Sequence, residues 1–264
     1  MSTTLLEKKF EAIGARIKIS EPRSGLDDFK IDVQKDKNGE YFDLKVRKKI
    51  EMLVTDVQKQ DRHLLLLVRQ PDNPKAKFLC GHDERHWFTC ALPESARVVN
   101  VATAKQALKP KELAVLERHE GLKTKDAQKR HRKLKSGRKI HRQGEFMFIP
   151  SDFMPPKGNL TIILKNEPMR GGGTHFHYAE HLYRNGGEAV YVRRDVVISV
   201  EEYKRLDKKE KVHWSYMRRN PEVYVKGHIR HEEHATVDLG NVWHKVMVNT
   251  EAQAKAARNV AFLD

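Results

Sequence analysis

The chain has 264 residues, 39% hydrophobic and 33% charged, with a formal net charge of +15 and a pI near 9.7. That length allows one large domain or two small ones with cores of their own. No apolar run approaches the roughly 20 residues that cross a bilayer as a helix, and two cysteines, Cys80 and Cys90, are too few for a disulfide framework.

A helical membrane protein and a disulfide-stapled domain are therefore set aside, no membrane partner is expected, and the two thiols fit a reducing, cytoplasmic setting. The opening MSTTLLEKKFEAIGARIKIS has no basic start followed by an apolar stretch, so it reads as a short amphipathic helix that stays on the protein.

Residues 1–103 read as an antiparallel β-meander behind that helix. ARIKIS (15–20) alternates, and FKIDV (29–33) and YFDLKV (41–46) flank Asn38-Gly39, a hairpin signal. IEMLVTDV (50–57), HLLLLV (63–68), KFLC (77–80) and HWFTCAL (86–92) complete about six strands.

Residues 104–143 change character. Pro110 suits a helix start and Gly121 a stop, and a second helix is expected over about 123–135, ending at Ser136-Gly137. Between 101 and 143 fourteen Lys and Arg face four acids, a surplus of ten out of fifteen for the whole chain. The charge is concentrated on this basic helical connector.

Residues 144–264 read as a mixed α+β domain with His-rich loops. Strands are expected at 144–150, 160–165, 188–194, 196–200, 222–227, 234–239 and 243–249. Ser199 and Glu202 have capping-box spacing for a short helix, and TEAQAKAARNVAFL reads as a C-terminal helix capped by Thr250. The expected class is α+β: two mainly antiparallel halves joined by the connector, with helices at both ends. FLCGHDERHWFTCAL and VYVKGHIRHEEHATVDL echo each other, each running strand, Gly-His, polar tip with Arg-His, strand.

RGGGTHFHYAEHLYRNGG (170–187) carries the densest chemistry. With Thr174 as N-cap and Asn185-Gly186 as C-cap it reads as a helix. His177 and His181 then share one face, Glu180 lies beside it and His175 sits in the first turn. Tyr178 and Ala179 follow His177, so the HExxH order of helical zinc sites is absent. Gly171, Gly172, Gly173 and Thr174 leave backbone N–H groups open to an anion, with Arg170 adding charge.

A second cluster, His228, His231 and His234 with Glu232 and Glu233, sits on a hairpin tip, and His244 follows it. Either cluster, or the two together, can hold a divalent metal, zinc or manganese. Cys80, His82, His86 and Cys90 lack the knuckle spacing of a structural zinc site.

The leading functional expectation is a nucleic-acid-binding protein, RNA ahead of DNA. Its grip on phosphates would come from Lys125, Lys129, Arg130, Arg132, Lys133, Lys135, Arg138, Lys139 and Arg142 of the connector and from Arg170. One alternative is a metal-assisted phosphoesterase or nucleic-acid-processing enzyme. In it His175, His177 and His181 hold the ion, Glu180 acts as base and Arg170 steadies the phosphate. The other is a basic subunit of a larger assembly, with protein partners.

Overall fold

The computed structural model describes residues 3–22, 28–70, 73–83, 85–123, 129, 131–156, 163–170 and 175–255. The expected α+β class holds. Helix α1 (Thr3–Glu11) is followed by β1 (Ile17–Ser20), β2 (Phe29–Asp36), β3 (Gly39–Val46), β4 (Glu51–Gln58), β5 (His63–Gln70), β6 (Asn73–His82) and β7 (Trp87–Ala91). Strands β4 to β7 form the expected meander, but the first three make a sheet of their own in order β1-β3-β2, with β1 parallel to β3. Alternation reports a strand and its buried face; it does not report which edge the strand joins.

These two sheets and α1 enclose the first core. Phe10 meets Phe42 edge-on at 5.0 Å, and Phe29 lies 5.4 Å from Phe78. The unbroken run Leu64–Val68 in β5 follows from burial on both faces. Leu64, Leu66 and Val68 face this core, while Leu65 packs with Val101 and Ala104 of helix α2 (Val101–Ala107).

Helix α3 (Lys111–His119) begins after Pro110 as expected. The second connector helix does not follow. Of its span, 124–128 and 130 lie outside the described residues, and Arg132–Lys133 forms β8, paired with β9 (Lys139–Gln143) around a turn at Gly137 (φ 83°). Burial alternates through Arg132, Lys133 and Leu134, the period of a strand. Leu113 of α3 packs with Leu134, Ile140 and Met147. The connector is therefore divided: α2 belongs to the first half and α3 with the hairpin to the second.

The second half is an eight-stranded sheet. Its order is β11 (Leu164–Met169), β12 (His177–Asn185), β16 (Glu222–Arg230), β18 (His244–Val248), β10 (Phe146–Pro150), β9 and β8, with β17 (Val237–Asp238) paired to β16. A smaller sheet, β14 (Val196–Ser199), β13 (Glu188–Arg193) and β15 (Ser215–Arg219), extends from it and carries helix α4 (Val200–Arg205), whose Ser199/Glu202 capping box is present. β15 had no clear signal in HWSYMRR.

The expected helix over 174–185 is instead β12. Positions 177 and 181 share a face under either period, four being close to one helical turn and twice the strand repeat. Neighbours β11 and β16 claim the segment for the sheet.

The expected C-terminal helix is, in its described part, a 3-10 turn at Glu251–Gln253; residues 256–264 lie outside the described ones. This segment joins the halves. The Thr250 hydroxyl donates to the Ala107 carbonyl (2.8 Å) rather than capping a helix, and the Ala91 N–H donates to Glu251 Oε1 (2.9 Å). Ala254 enters the first core.

Under the junction lies a buried ion triad, Glu117 between Lys109 (2.7 Å) and Arg132, all three side chains no more than 5% exposed. Removing the carboxylate leaves two cations in a low-dielectric interior, so Glu117→Ala is expected to cost about 3–5 kcal/mol. Urea unfolding checks this; a loss under about 1 kcal/mol, the scale of a surface pair, would contradict it.

Candidate functional site

Two hairpin tips face each other across a cavity of about 220 Å³. Asp83, His86 and Trp87 come from the β6–β7 tip, and His231, Glu233 and His234 from the β16–β17 tip. These are the two segments whose sequences echo each other. The echo stops at the tips, because the sheets behind them have different strand orders.

Each tip is held from outside. Glu40 of β3 contacts His86 Nδ1 (2.5 Å) and accepts the Trp87 N–H (2.9 Å). Gln143, fully buried at the end of β9, donates from Nε2 to the carbonyl of Ala235 (2.7 Å) and so fixes the second tip.

His177, the first residue of β12, closes the floor. Its ring lies edge-on to Phe146 at 4.7 Å, the residue is 2% exposed, and neither ring nitrogen has a hydrogen-bond partner among the described residues. The rings of His231 and His234 stand 4.3 and 5.9 Å away, and one nitrogen from each of the three falls within 4.8 Å of the others. Tetrahedral zinc with Zn–N of about 2.0–2.1 Å needs nitrogens about 3.3 Å apart. The three rings lie at 25–31° to one another, so reaching that spacing requires them to turn until one nitrogen of each points inward. His231 Nδ1 now accepts the Glu233 N–H (3.1 Å), which leaves the proton of a neutral ring on Nε2, so ligation requires that this ring turn over or release the bond.

Burial, with the charges of His231 and His234 added, pushes His177 down to about 3, and burial also lowers His231. Both are neutral near pH 7, the form a metal needs.

Gly144, in the turn between β9 and β10, has a φ of 55°. A Cβ there would lie 3.2 Å from His234 Nε2 and 3.4 Å from His177 Nε2. The hydrogen of glycine keeps the space between the two imidazoles open. Glu145 follows, 5% exposed and lining the cavity.

The six histidines expected as ligands do not act as one set. His177, His231 and His234 converge. His175 stays at the rim, its Nδ1 3.3 Å from Glu232. His181 and His228 lie outside the cavity with Glu180, because β12 shifts register between Ala179 and His181. Glu180 Oε2 accepts the His228 N–H (2.9 Å) and contacts its Nδ1 (2.6 Å). That pair removes Glu180 as the base for these ligands. Arg170 sits over the Phe176 ring, 5.9 Å away, and is absent from the cavity lining.

Cys80 and Cys90 face opposite cores of one sheet, so they do not form a zinc site with His82 and His86. Gly171, Gly172, Gly173, Thr174, Lys125 and Arg130 lie outside the described residues.

Of the remaining expected phosphate-binding residues, some are engaged by neighbours, some are exposed and some line a second cavity. Arg132 is buried on Glu117, Arg138 pairs with Asp152 (2.6 Å), and Arg142 donates to the Gly144 carbonyl (2.8 Å). Lys133, Lys135 and Lys139 are exposed on the β8–β9 hairpin. Lys129, Arg132 and Arg142 line a second cavity.

Sequence reasoning missed Glu145, Gly144 and Gln143. Their signal was the phrase RQGEF, in which a glycine-containing turn joins two strands. Comparison with protein families, with curated proteins and with solved structures finds no match.

Three histidines, the buried His177 and the half-buried His63 and His141, have values lowered from 6.5 to about 3, 4 and 4, in each case first by desolvation. They stay neutral in the fold while their unfolded counterparts take up protons, so stability is lost as pH falls from about 6.5 toward 4. The urea midpoint is expected to drop steeply across that window. A flat midpoint there would show that these rings protonate as readily in the folded protein as outside it.

Proposed function

We propose that the protein is a divalent-metal-dependent hydrolase whose metal is held by His177, His231 and His234. The observation that carries this reading is His177. An imidazole 2% exposed, with both nitrogens unpartnered among the described residues, loses about 1–3 kcal/mol of hydration. A metal ion shared with the two facing imidazoles offsets that loss. Three nitrogen ligands suit zinc or manganese, zinc more closely, and disfavour the oxygen-seeking magnesium and calcium.

Three protein ligands would leave a fourth position for water or substrate, the arrangement of catalytic rather than structural zinc. An ion there supplies a Lewis acid and an acidified water. Glu233 lines the same space, together with Asp32, Glu40, Asp83 and Glu145, and a carboxylate of this lining would take the water's proton. Hydrolysis asks nothing more of the site than water, an ion and a base.

The RNA grip expected from the connector is a second reading, favoured by Lys133, Lys135 and Lys139 exposed on one hairpin, while Arg132, Arg138 and Arg142 meet Glu117, Asp152 and the Gly144 carbonyl.

Calorimetric titration of the untagged, chelator-treated protein with zinc tests the centre. One equivalent is expected to bind. His177→Phe and His234→Phe should weaken it by a hundredfold or more, in line with losing one ligand of three, and Gly144→Ala should weaken it by filling the gap between the rings. His181→Phe, outside the cavity, should bind as the parent does. Zinc uptake below a tenth of an equivalent, or uptake unchanged in His177→Phe, would overturn the proposal.

A further inference from the structure

His86 lines the same cavity as the three imidazoles, from the β6–β7 tip on the other side. We infer that His86 is the proton donor of the site, oriented by Glu40, and that the hydrolase acts on an amide or alkyl ester. This deepens the hydrolase reading and rests on it, while the Glu40–His86 pair lies outside the three-imidazole set.

Glu40 comes from β3, next to the turn at Gly39, and reaches a tip 46 residues further along the chain. One of its oxygens contacts His86 Nδ1 at 2.5 Å, and the other accepts the Trp87 N–H at 2.9 Å. Contacts at two successive residues hold the carboxylate against the ring. The tip is closed by the Asp83 N–H, which donates to the His86 carbonyl (2.9 Å), and Trp87 is set into the first core, edge-on to Phe42 at 5.6 Å. The backbone that carries the imidazole is therefore fixed on both sides.

A carboxylate at Nδ1 keeps the proton of a neutral ring on that nitrogen. Nε2, which has no hydrogen-bond partner among the described residues, is left to the cavity. A carboxylate so placed orients an imidazole and steadies the positive ring that forms when Nε2 takes up a proton. The His86 side chain is 42% exposed and that of Glu40 19%, so solvent reaches the ring between turnovers while its partner is sheltered.

Among the described residues of this lining there is no lysine or arginine. A phosphate dianion would meet no cationic side chain there, whereas the uncharged acyl group of an amide or alkyl ester needs none. The leaving atom of such a substrate is strongly basic and adds one demand to water, ion and base: it departs only with a proton. The water oxygen bonds to the acyl carbon as the bond from that carbon to the leaving atom breaks. The water's proton passes to a carboxylate of the lining, and the proton on His86 Nε2 passes to the leaving nitrogen or oxygen. Solvent then carries the first proton back to Nε2.

Two esters with the same acyl group separate this role from that of the ion. p-Nitrophenyl acetate releases a weakly basic phenolate that needs no proton, and benzyl acetate releases an alkoxide that does. In zinc-loaded protein, His86→Gln is expected to lower kcat for benzyl acetate about a hundredfold or more, with p-nitrophenyl acetate turnover and zinc binding as in the parent. Glu40→Gln should lower benzyl acetate turnover about tenfold or more, with the same selectivity. Should that variant fail to fold, His86→Gln, at a half-exposed position, decides alone. In chelator-treated protein, nitrogen NMR of the histidine rings, with His86 assigned by its loss in His86→Gln, is expected to show the neutral ring protonated on Nδ1.

The inference is overturned if His86→Gln slows both esters alike or neither, if the loaded parent turns over p-nitrophenyl acetate but not benzyl acetate, or if the neutral ring carries its proton on Nε2. In each of these cases the hydrolase reading stands on p-nitrophenyl acetate turnover by the loaded parent. If the parent takes up no zinc, or turns over neither ester when loaded, both fall together.

Discussion

Gly144 lies so close to two imidazoles that a Cβ there would stand 3.2 Å from His234 Nε2 and 3.4 Å from His177 Nε2. Its backbone occupies the left-handed region, and a methyl group there would press on His234 and His177. The turn that contains it serves both cavities at once. Gln143 reaches the Ala235 carbonyl and sets the second tip, Arg142 bonds the Gly144 carbonyl from the basic side, and Glu145 lines the histidine side. The partition between a candidate metal centre and a basic pocket is thus a turn joining two adjacent strands, which places the chemistry on rigid elements of the sheet.

The larger fold makes that turn meet a tip from the other half. The first half builds its core from two sheets and α1, so its β6–β7 hairpin projects from a rigid base and is fixed by Glu40. The second half presents β12 and the β16–β17 tip from one sheet. The chain's return through Thr250, Glu251 and Ala254 ties the two together with hydrogen bonds and an apolar contact. A cavity between halves needs this kind of tie: ligands drawn from both sides keep their spacing only if the sides do not drift.

Much of the fold was legible because its signals are local. The β4–β7 meander, the hairpin at Gly39, the start of α3 after Pro110 and the Ser199/Glu202 cap each depend on residues a few positions apart. The separate β1-β3-β2 sheet was not legible, since edge choice depends on partners distant in sequence. His177 and His181 misled for a definite reason. A spacing of four fits both periods, and the register shift at Glu180 then sent the two residues to different environments. His231 and His234 were visible as a cluster, but their meeting with His177 depends on the register of β12 against β16. The basic connector was correctly seen as charged. Its charge was taken to face outward, whereas Glu117, from a neighbouring helix, draws Arg132 and Lys109 inside.

The central claim is that His177, His231 and His234 form one coordination sphere opening on the cavity beside Gly144. Anomalous diffraction at the zinc edge, from crystals of the full chain grown with stoichiometric zinc, tests it most directly. The account predicts a single strong peak about 2.0–2.1 Å from one nitrogen of each of these three imidazoles, with a fourth position facing the cavity. A peak at Glu180 and His228 instead, or none among the three rings, would contradict it.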